Sequence, residues 1–233
     1  MKEKKLFLGE LALMIGLIFN SLATTLMVKS GFGISSISSV PYTLSLIFDE
    51  ITYGSWNYIF QCFLIIILVL ITKNFNLGYI ISFFLAVIFG NMIDLFNIYV
   101  IAVLPNGLLI NIIYFVVSLS ILSLGISLLL KSTMPVLPID TFIRDFAEFF
   151  SIPYKNTKTG FDLLCLGVAI LLSGIILNSF EGIGIGTIVC ALITGKLVSY
   201  ANDFMDQNFY FQSIFTKIKS KRNEIDTVNE NIN

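Results

Sequence analysis

From Leu108 to Leu130 the chain runs for 23 residues without a charged side chain. A stretch of that length, with no alternation, restricts the fold severely. About 20 apolar residues in helical form cross the hydrocarbon of a bilayer. In that medium every backbone group must be hydrogen-bonded internally, which a helix achieves alone. Five more apolar runs accompany it: Leu6–Val28, Trp56–Thr72, Leu77–Leu104, Gly160–Leu177 and Ile183–Phe204. Charged residues make up 12% of the chain, against roughly 25% in a soluble domain. The expectation is an all-α, polytopic membrane protein with six transmembrane helices, forming a single membrane domain over residues 1–233. A cleaved signal peptide is the competing reading of the first run, with Ser21-Leu22-Ala23 as the cleavage site. The apolar run continues past that point, which favours a retained span.

Composition also removes chemistry. Histidine is absent, and with it the commonest general base and a common metal ligand. Cys62, Cys165 and Cys190 all lie in apolar runs and read as small buried residues. They form neither a disulfide framework nor a zinc-type spacing, so no metal is expected. No phosphate-binding Gly-Lys-Ser/Thr loop is present. Without histidine, a hydrolase would need a Ser/Lys or paired-carboxylate site, and no motif fixes such a pair. No enzyme, no cofactor and no nucleic-acid partner is expected. The partners anticipated are the lipid bilayer, a small molecule or ion, and further copies of the chain.

Two segments are apolar but short. Residues 34–48 carry Ser35, Ser36, Ser38, Ser39, Thr43 and Ser45 and are interrupted by Pro41. Residues 138–150 are amphipathic: Ile139, Phe142, Ile143, Phe146, Phe149 and Phe150 against Asp140, Arg144, Asp145 and Glu148. Both read as re-entrant or interfacial helices. With six spans and both termini inside, twelve of the fourteen Lys and Arg fall on the cytoplasmic side, leaving Lys29 outside and Lys196 in the last span. This matches the positive-inside rule. The expected location is the plasma membrane, with both termini cytoplasmic.

The chain also repeats itself. Gly78, Ser82, Ala86, Gly90 and Asp94 are four apart, as are Thr187, Ala191, Gly195, Ser199 and Asp203. Such a row forms one ridge of a helix, and small residues on it let a second helix approach closely. The rows superpose at a shift of 105 residues, where Phe75 also meets Phe180 and Asn97 meets Asn202. Lys29-Ser30 and Lys131-Ser132 match at a shift of 102. Repeat one covers about 6–104, repeat two about 108–204, and 205–233 is a cytoplasmic tail. Three crossings per copy would invert the second relative to the first, an arrangement common among transporters. Packing is assigned to Gly78, Ser82, Ala86, Gly90, Gly186, Ala191, Gly195 and Ser199. Gly9, Gly16, Ala23 and Ser30 form a further stripe at heptad spacing. Asn20, also on the first span, reads as an interhelical hydrogen bond.

An ionisable side chain within a span usually faces a cavity or a partner. Asp94, four residues after Gly90 and near Asn91, is the sharpest case. It reads either as a proton or cation site with Lys196 as its partner, or as a carboxylate held by hydrogen bonds near the outer headgroups. Asp140 follows Pro138 at a helix start, either as a first-turn acid favoured by the helix dipole or as a re-entrant tip facing substrate. Ser36, Ser38 and Thr187 complete the polar path that a carrier would need. The glycines of 182–187 read as close packing, with Glu181 opposing an anion site.

Five short pieces carry a resemblance: S-G-F-G at 30–33, I-T-Y-G at 51–54, G-N-M-I-D at 90–94, P-I-D at 138–140 and G-I-G-T-x7-G at 184–195. In these the chain resembles the YczE/YyaS/YitT family of bacterial integral membrane proteins. The resemblance implies a membrane protein of unknown function, in a family some of whose members are described as transporters. Where the family has a Pro-x-Asp-like step after its first Gly-x-Gly, this chain has Ser36-Ile37-Ser38. Where the family has its first Gly-Thr, it has Ile81-Ser82. The leading expectation is a small-molecule or ion transporter with a midplane site between inverted repeats. The alternative is a membrane scaffold or regulatory partner that moves nothing.

Overall fold

The structure, a computed structural model, describes residues 4–179 and 182–213. Phe180, Glu181 and the basic stretch 217–222 lie outside the described residues. Strand β1 (Lys5–Leu8) leads into helix α1 (Gly9–Ser30). Then follow α2 (Ser36–Ile47), α3 (Tyr53–Thr72), α4 (Gly78–Phe96), α5 (Leu108–Lys131), α6 (Pro138–Phe149), α7 (Tyr154–Leu172) and α8 (Ile185–Asn208). Strand β2 (Phe209–Gln212) closes the described chain. Helices α4 and α7 each end in a π-helical turn, Asn97–Ile101 and Ser173–Leu177. With those turns included, six helices are long and apolar enough to cross a membrane. The chain is thus an α-helical protein of multi-pass membrane character.

The helices stop where local chemistry tells them to. Gly31, at φ 70°, takes the left-handed conformation that closes α1, and its N–H returns to the Val28 carbonyl. Thr52 caps α3, its hydroxyl accepting the Ser55 N–H. Pro138 opens α6 at a position where a missing N–H costs nothing. Pro41 does not break α2, which runs through it from Ser36 to Ile47. At 12 residues each, α2 and α6 reach about 18 Å at 1.5 Å per residue, too short for a bilayer.

Several boundaries differ from the apolar runs. Helix α1 begins at Gly9 rather than Leu6, because Lys5–Leu8 pair in parallel with Phe209–Gln212. Helix α8 continues beyond Phe204 to Asn208, so the tail assigned from 205 starts helical. Helices α3 and α7 begin at Tyr53 and Tyr154, upstream of their apolar runs. A helix is bounded by caps and packing, and only its middle has to match hydrocarbon. The strand pair brings the two ends of the described chain together, with Phe7 against Phe209 and Phe211 and the Ser213 hydroxyl donating to Glu10.

Helix α1 is the centre: 61% of its span is buried, against 17% of α7. It crosses α5 antiparallel along the predicted stripe. Gly9 lies on the Ser132 carbonyl, Gly16 on Leu129 and Gly125, and Gly125 in turn on Asn20. Asn20 is buried in that crossing, yet its Oδ1 has no hydrogen-bond partner among the described residues, so the expected interhelical bond is not made. Helix α4 flanks α1 and α8 flanks α5. Helix α2 packs on α7 and α6 on α3. Outward faces carry Leu70, Leu108, Leu109 and Leu192, as lipid contact requires.

The first small-residue ridge is an interior surface. Ser82, Ala86 and Gly90 are buried, and α3 crosses α4 with Gly54 against Gly90. A Cβ on Gly54 would strike the Gly90 carbonyl, and one on Gly90 would strike that of Gly54. The second ridge differs. Ala191, Gly195 and Ser199 are exposed, and among the described residues nothing lies within 4 Å of a Cβ at Gly195. Helices α7 and α8 scarcely touch.

Gly54→Ala and Gly90→Ala each force the α3–α4 backbones apart and should cost about 1–3 kcal/mol by overpacking. Gly195→Ala should stay within about 0.5 kcal/mol of the parent or gain slightly from helix propensity. Thermal unfolding of the detergent-solubilised variants measures the difference.

Candidate functional site

Pairs of the short motifs prove to be halves of single joints. In the first joint, Asp94 on α4 reaches the N-terminus of α3. Its Oδ1 accepts the Gly54 N–H at 2.8 Å and its Oδ2 accepts the Thr52 hydroxyl at 2.5 Å. Free N–H groups and the positive end of the helix dipole meet there, so a carboxylate is the natural partner. Lys196 is exposed on α8 and does not pair with Asp94. Asn91 is exposed on α4.

The second joint ties the loop after α1 to the start of α8. Gly186 N–H donates to the Phe32 carbonyl at 2.7 Å, and Ile34 N–H donates to that of Gly182 at 3.1 Å. Thr187 is fully buried, and its hydroxyl accepts the Gly184 N–H at 3.3 Å. Gly33 (φ 120°) has no room for a side chain against Thr187 and Gly184. Gly186 is similarly closed by Phe115 and the Phe32 carbonyl. A related contact sits at α4, where the Ser82 hydroxyl donates to the Val136 carbonyl at 2.7 Å. Gly78 is only half-buried.

Beside the second joint lies a cavity of about 390 Å³, lined by Met27, Val28, Gly31, Gly33, Ile34, Tyr42 and Gly182. The Tyr42 ring stands edge-on to that of Tyr53, with centroids 5.2 Å apart. Ser38, half-buried, and Asn57 face the Tyr53 hydroxyl. Gln61 then donates to Asn57 at 2.8 Å, and both side chains are buried. Several hydroxyls elsewhere in the bundle turn back on their own helices, as Ser21, Thr24 and Thr25 do. Ser36, Thr43 and Ser173 do not: each is at most 5% exposed, and their oxygens have no hydrogen-bond partner among the described residues. Orphaned buried hydroxyls are uncommon enough to need a reason.

Asp140 occupies the first turn of α6, half-buried, without a side-chain cap bond. Burial raises its carboxyl above the usual carboxylate range; Lys158 and Arg144 work against the rise, and Asp162 adds to it. Lys158 is bound to Asp162 at 2.9 Å, one turn away on α7.

Ser36, Ser38, Asp94, Asp140 and Thr187 occupy separate places among the described residues. Asp94 and Thr187 each hold a joint, Asp140 stands at the α6–α7 junction, and none of the five lines the cavity. Tyr42, Asn57, Gln61 and Ser173 were not singled out from the sequence. For Asn57 and Gln61 the signal was present: two amides one turn apart in an otherwise apolar span.

A family model described as "Family of unknown function (DUF6198)" matches residues 7–203. An uncharacterized protein of Bacillus subtilis (strain 168), YyaS, is 28% identical over 199 residues, covering 84% of this chain and 92% of that protein. The resemblance drawn from five short motifs thus extends over most of the chain. No solved structure matches.

Asp94→Ala should destabilise the protein by about 1.5–3 kcal/mol, the scale for hydrogen bonds to a charged group. Lys196→Ala should leave the unfolding midpoint unchanged. Equal losses from both would mean that the two side chains pair after all.

Proposed function

We propose that this chain, which belongs to the DUF6198 family of unknown function, is a plasma-membrane carrier for a small solute or ion, built from two inverted three-span repeats with its site between them. The observation that carries the reading is an exchange of short helices. Val40 of α2 packs with Cys165 and Ala169 of α7, and Phe142 of α6 packs with Leu64 and Leu68 of α3. A step of 102 residues takes Val40 to Phe142, and a step of 101 takes Leu64 and Leu68 to Cys165 and Ala169. Each cluster is therefore the other with the halves interchanged, and Phe60 and Phe161, also 101 apart, belong to both. The antiparallel crossing of α1 on α5 fits the same relation, since those helices would be the first span of each copy.

Inverted repeats with broken or short helices at matching positions are a recurrent carrier architecture, with the site at the repeat interface. Here that interface is where α2 meets α7 and α6 meets α3. Ser36, Thr43, Ser173 and the Gln61 Oε1 lie buried on these helices without hydrogen-bond partners among the described residues, which suits a surface that changes its neighbours during transport. The reading assigns no catalysis. It puts both termini and the α6–α7 junction on the cytoplasmic side, in keeping with the positive charges there. Asp94 and Thr187 become positioning residues that lock α3 to α4 and the first loop to α8.

The joints favour a second reading, a scaffold that moves nothing, because the two sharpest polar residues of the sequence both hold the bundle together. Cysteine accessibility separates the two. In a chain with Cys62, Cys165 and Cys190 replaced, single cysteines at 38, 61, 140 and 173 are labelled by a membrane-impermeant maleimide in intact cells and in inverted vesicles. A carrier should label at positions from both copies, with sidedness that shifts as the cavity opens. Silence at 38, 61 and 173 from either side would favour the scaffold.

A further inference from the structure

The α3 amides have charged counterparts on α7. The step of 101 residues takes Tyr53, Asn57 and Gln61 to Tyr154, Lys158 and Asp162, and the step of 102 takes Ser38 to Asp140. The wiring is kept. Gln61 donates to Asn57 at 2.8 Å, and Lys158 donates to Asp162 at 2.9 Å. Ser38 faces Tyr53, and Asp140 acts electrostatically on Tyr154. One set is neutral and, apart from the half-buried Ser38, buried, while the other is ionic and opens toward the exposed Arg144, Glu148 and Tyr154.

The ionic set does not balance. Around Asp140 stand two cations, Arg144 of its own helix and Lys158 of α7, and one more carboxylate, Asp162 of α7. Lys158 is taken by Asp162 at 2.9 Å, and Arg144 by Asp145 at 2.8 Å. Asp145 is held from α4 as well, by the Tyr79 hydroxyl at 2.8 Å. Helix α3, which also packs on α6, brings no charged residue at all. Both cations that act on Asp140 are thus already held by other carboxylates. Asp140 is the odd one, half-buried and without a hydrogen bond or ion pair among the described residues. Its counterpart Ser38 shows that the fold accepts an uncharged side chain at this place.

We propose that Asp140 is a proton-binding site: the unpaired carboxylate of the α6–α7 cluster takes up a proton from the aqueous side and becomes a neutral acid. A single carboxylate whose neighbouring cations are already paired calls for a monovalent cation. A proton suits better than a metal ion, because among the described residues no group of three or more acidic, cysteine or histidine side chains stands ready to hold a metal, and a proton needs none. The raised carboxyl of Asp140 points the same way. Its role as the group that couples transport to a proton rests on the carrier reading, but the protonation itself does not.

Infrared spectroscopy of the full chain in lipid nanodiscs reads carboxyl protonation directly. The wild type should show a protonated-carboxyl band that titrates above the ordinary aspartate range. Asp140→Ser, which copies the other half, should lose that band. Asp162→Asn frees Lys158 for Asp140 and should move the midpoint to lower pH. A band unchanged in Asp140→Ser overturns the proposal, as does a midpoint unmoved in Asp162→Asn. A midpoint that follows sodium concentration overturns the choice of a proton. Stability gives a second readout. The native chain binds this proton more tightly than the unfolded one, so the Asp140 contribution to stability falls as pH rises from the unfolded value through the native one. Asp140→Ser should flatten that slope, and an unaltered slope counts against the site. Failure of the carrier reading would leave these titrations intact, while failure of the titrations would leave a carrier with another coupling group.

Discussion

Two helices in hydrocarbon gain little by burying leucine against leucine, because lipid tails already provide that contact. The bundle therefore depends on backbone approach, and above all on the antiparallel crossing of α1 over α5. Gly9, Gly16 and Gly125 bring the two helices so close that a methyl group at any of them would meet carbonyl, side-chain or amide atoms of the other. With α1 at the centre, α4 and α8 find places beside it and beside α5. The remaining spans then need only be tied at their ends.

Those ties are polar and sit at helix termini, where unpaired backbone groups are available. Asp94 satisfies the start of α3, and the 32–34 loop exchanges backbone hydrogen bonds with the start of α8. A tie of this kind fixes geometry without filling the interior. What is left inside is a set of small hydroxyls and amides on α2, α3 and the end of α7, several of them without partners among the described residues. Rigid ends around an imperfectly satisfied interior are compatible with the exchange of one helix pairing for another. A tightly satisfied polar network would oppose it.

Length and hydropathy were enough to read the six long helices and the two short ones, because a bilayer leaves few alternatives. The heptad stripe on α1 was equally legible, since small residues at a fixed period have few uses besides packing. Side-chain roles were harder. Asp94 in an apolar span suggested a cavity, but its partner was the terminus of α3, forty residues away in sequence and invisible to any local pattern. Thr187 was placed on a ridge by its spacing, and instead it closes a loop whose other half lies near residue 33. Asn57 and Gln61 were passed over because amides lack charge. Their significance emerges only when they are set beside Lys158 and Asp162. The strand pair could not be read at all, since four residues before a span and four after another carry no pairing signal of their own.

The contrast between α3–α4 and α7–α8 shows how little sequence is needed to change a helix pair. The ridge of α4 has its parallel in α8 at a step of 105 residues, with Gly90 matched by Gly195. The crossing is made only in the first case. Its other half is Gly54, and the residue 101 positions on is Lys155, whose long side chain forbids backbone contact. The carboxylate that fastens the pair is Asp94, and the residue 105 positions on is Ser199, which has neither the reach nor the charge to hold a helix terminus. At the positions where α3 and α4 make the close approach and the clasp, α7 and α8 therefore carry residues that can do neither. Helix α7 leans on α2 instead, and beyond Thr187 the small residues of α8, Ala191, Gly195 and Ser199, stay exposed among the described residues.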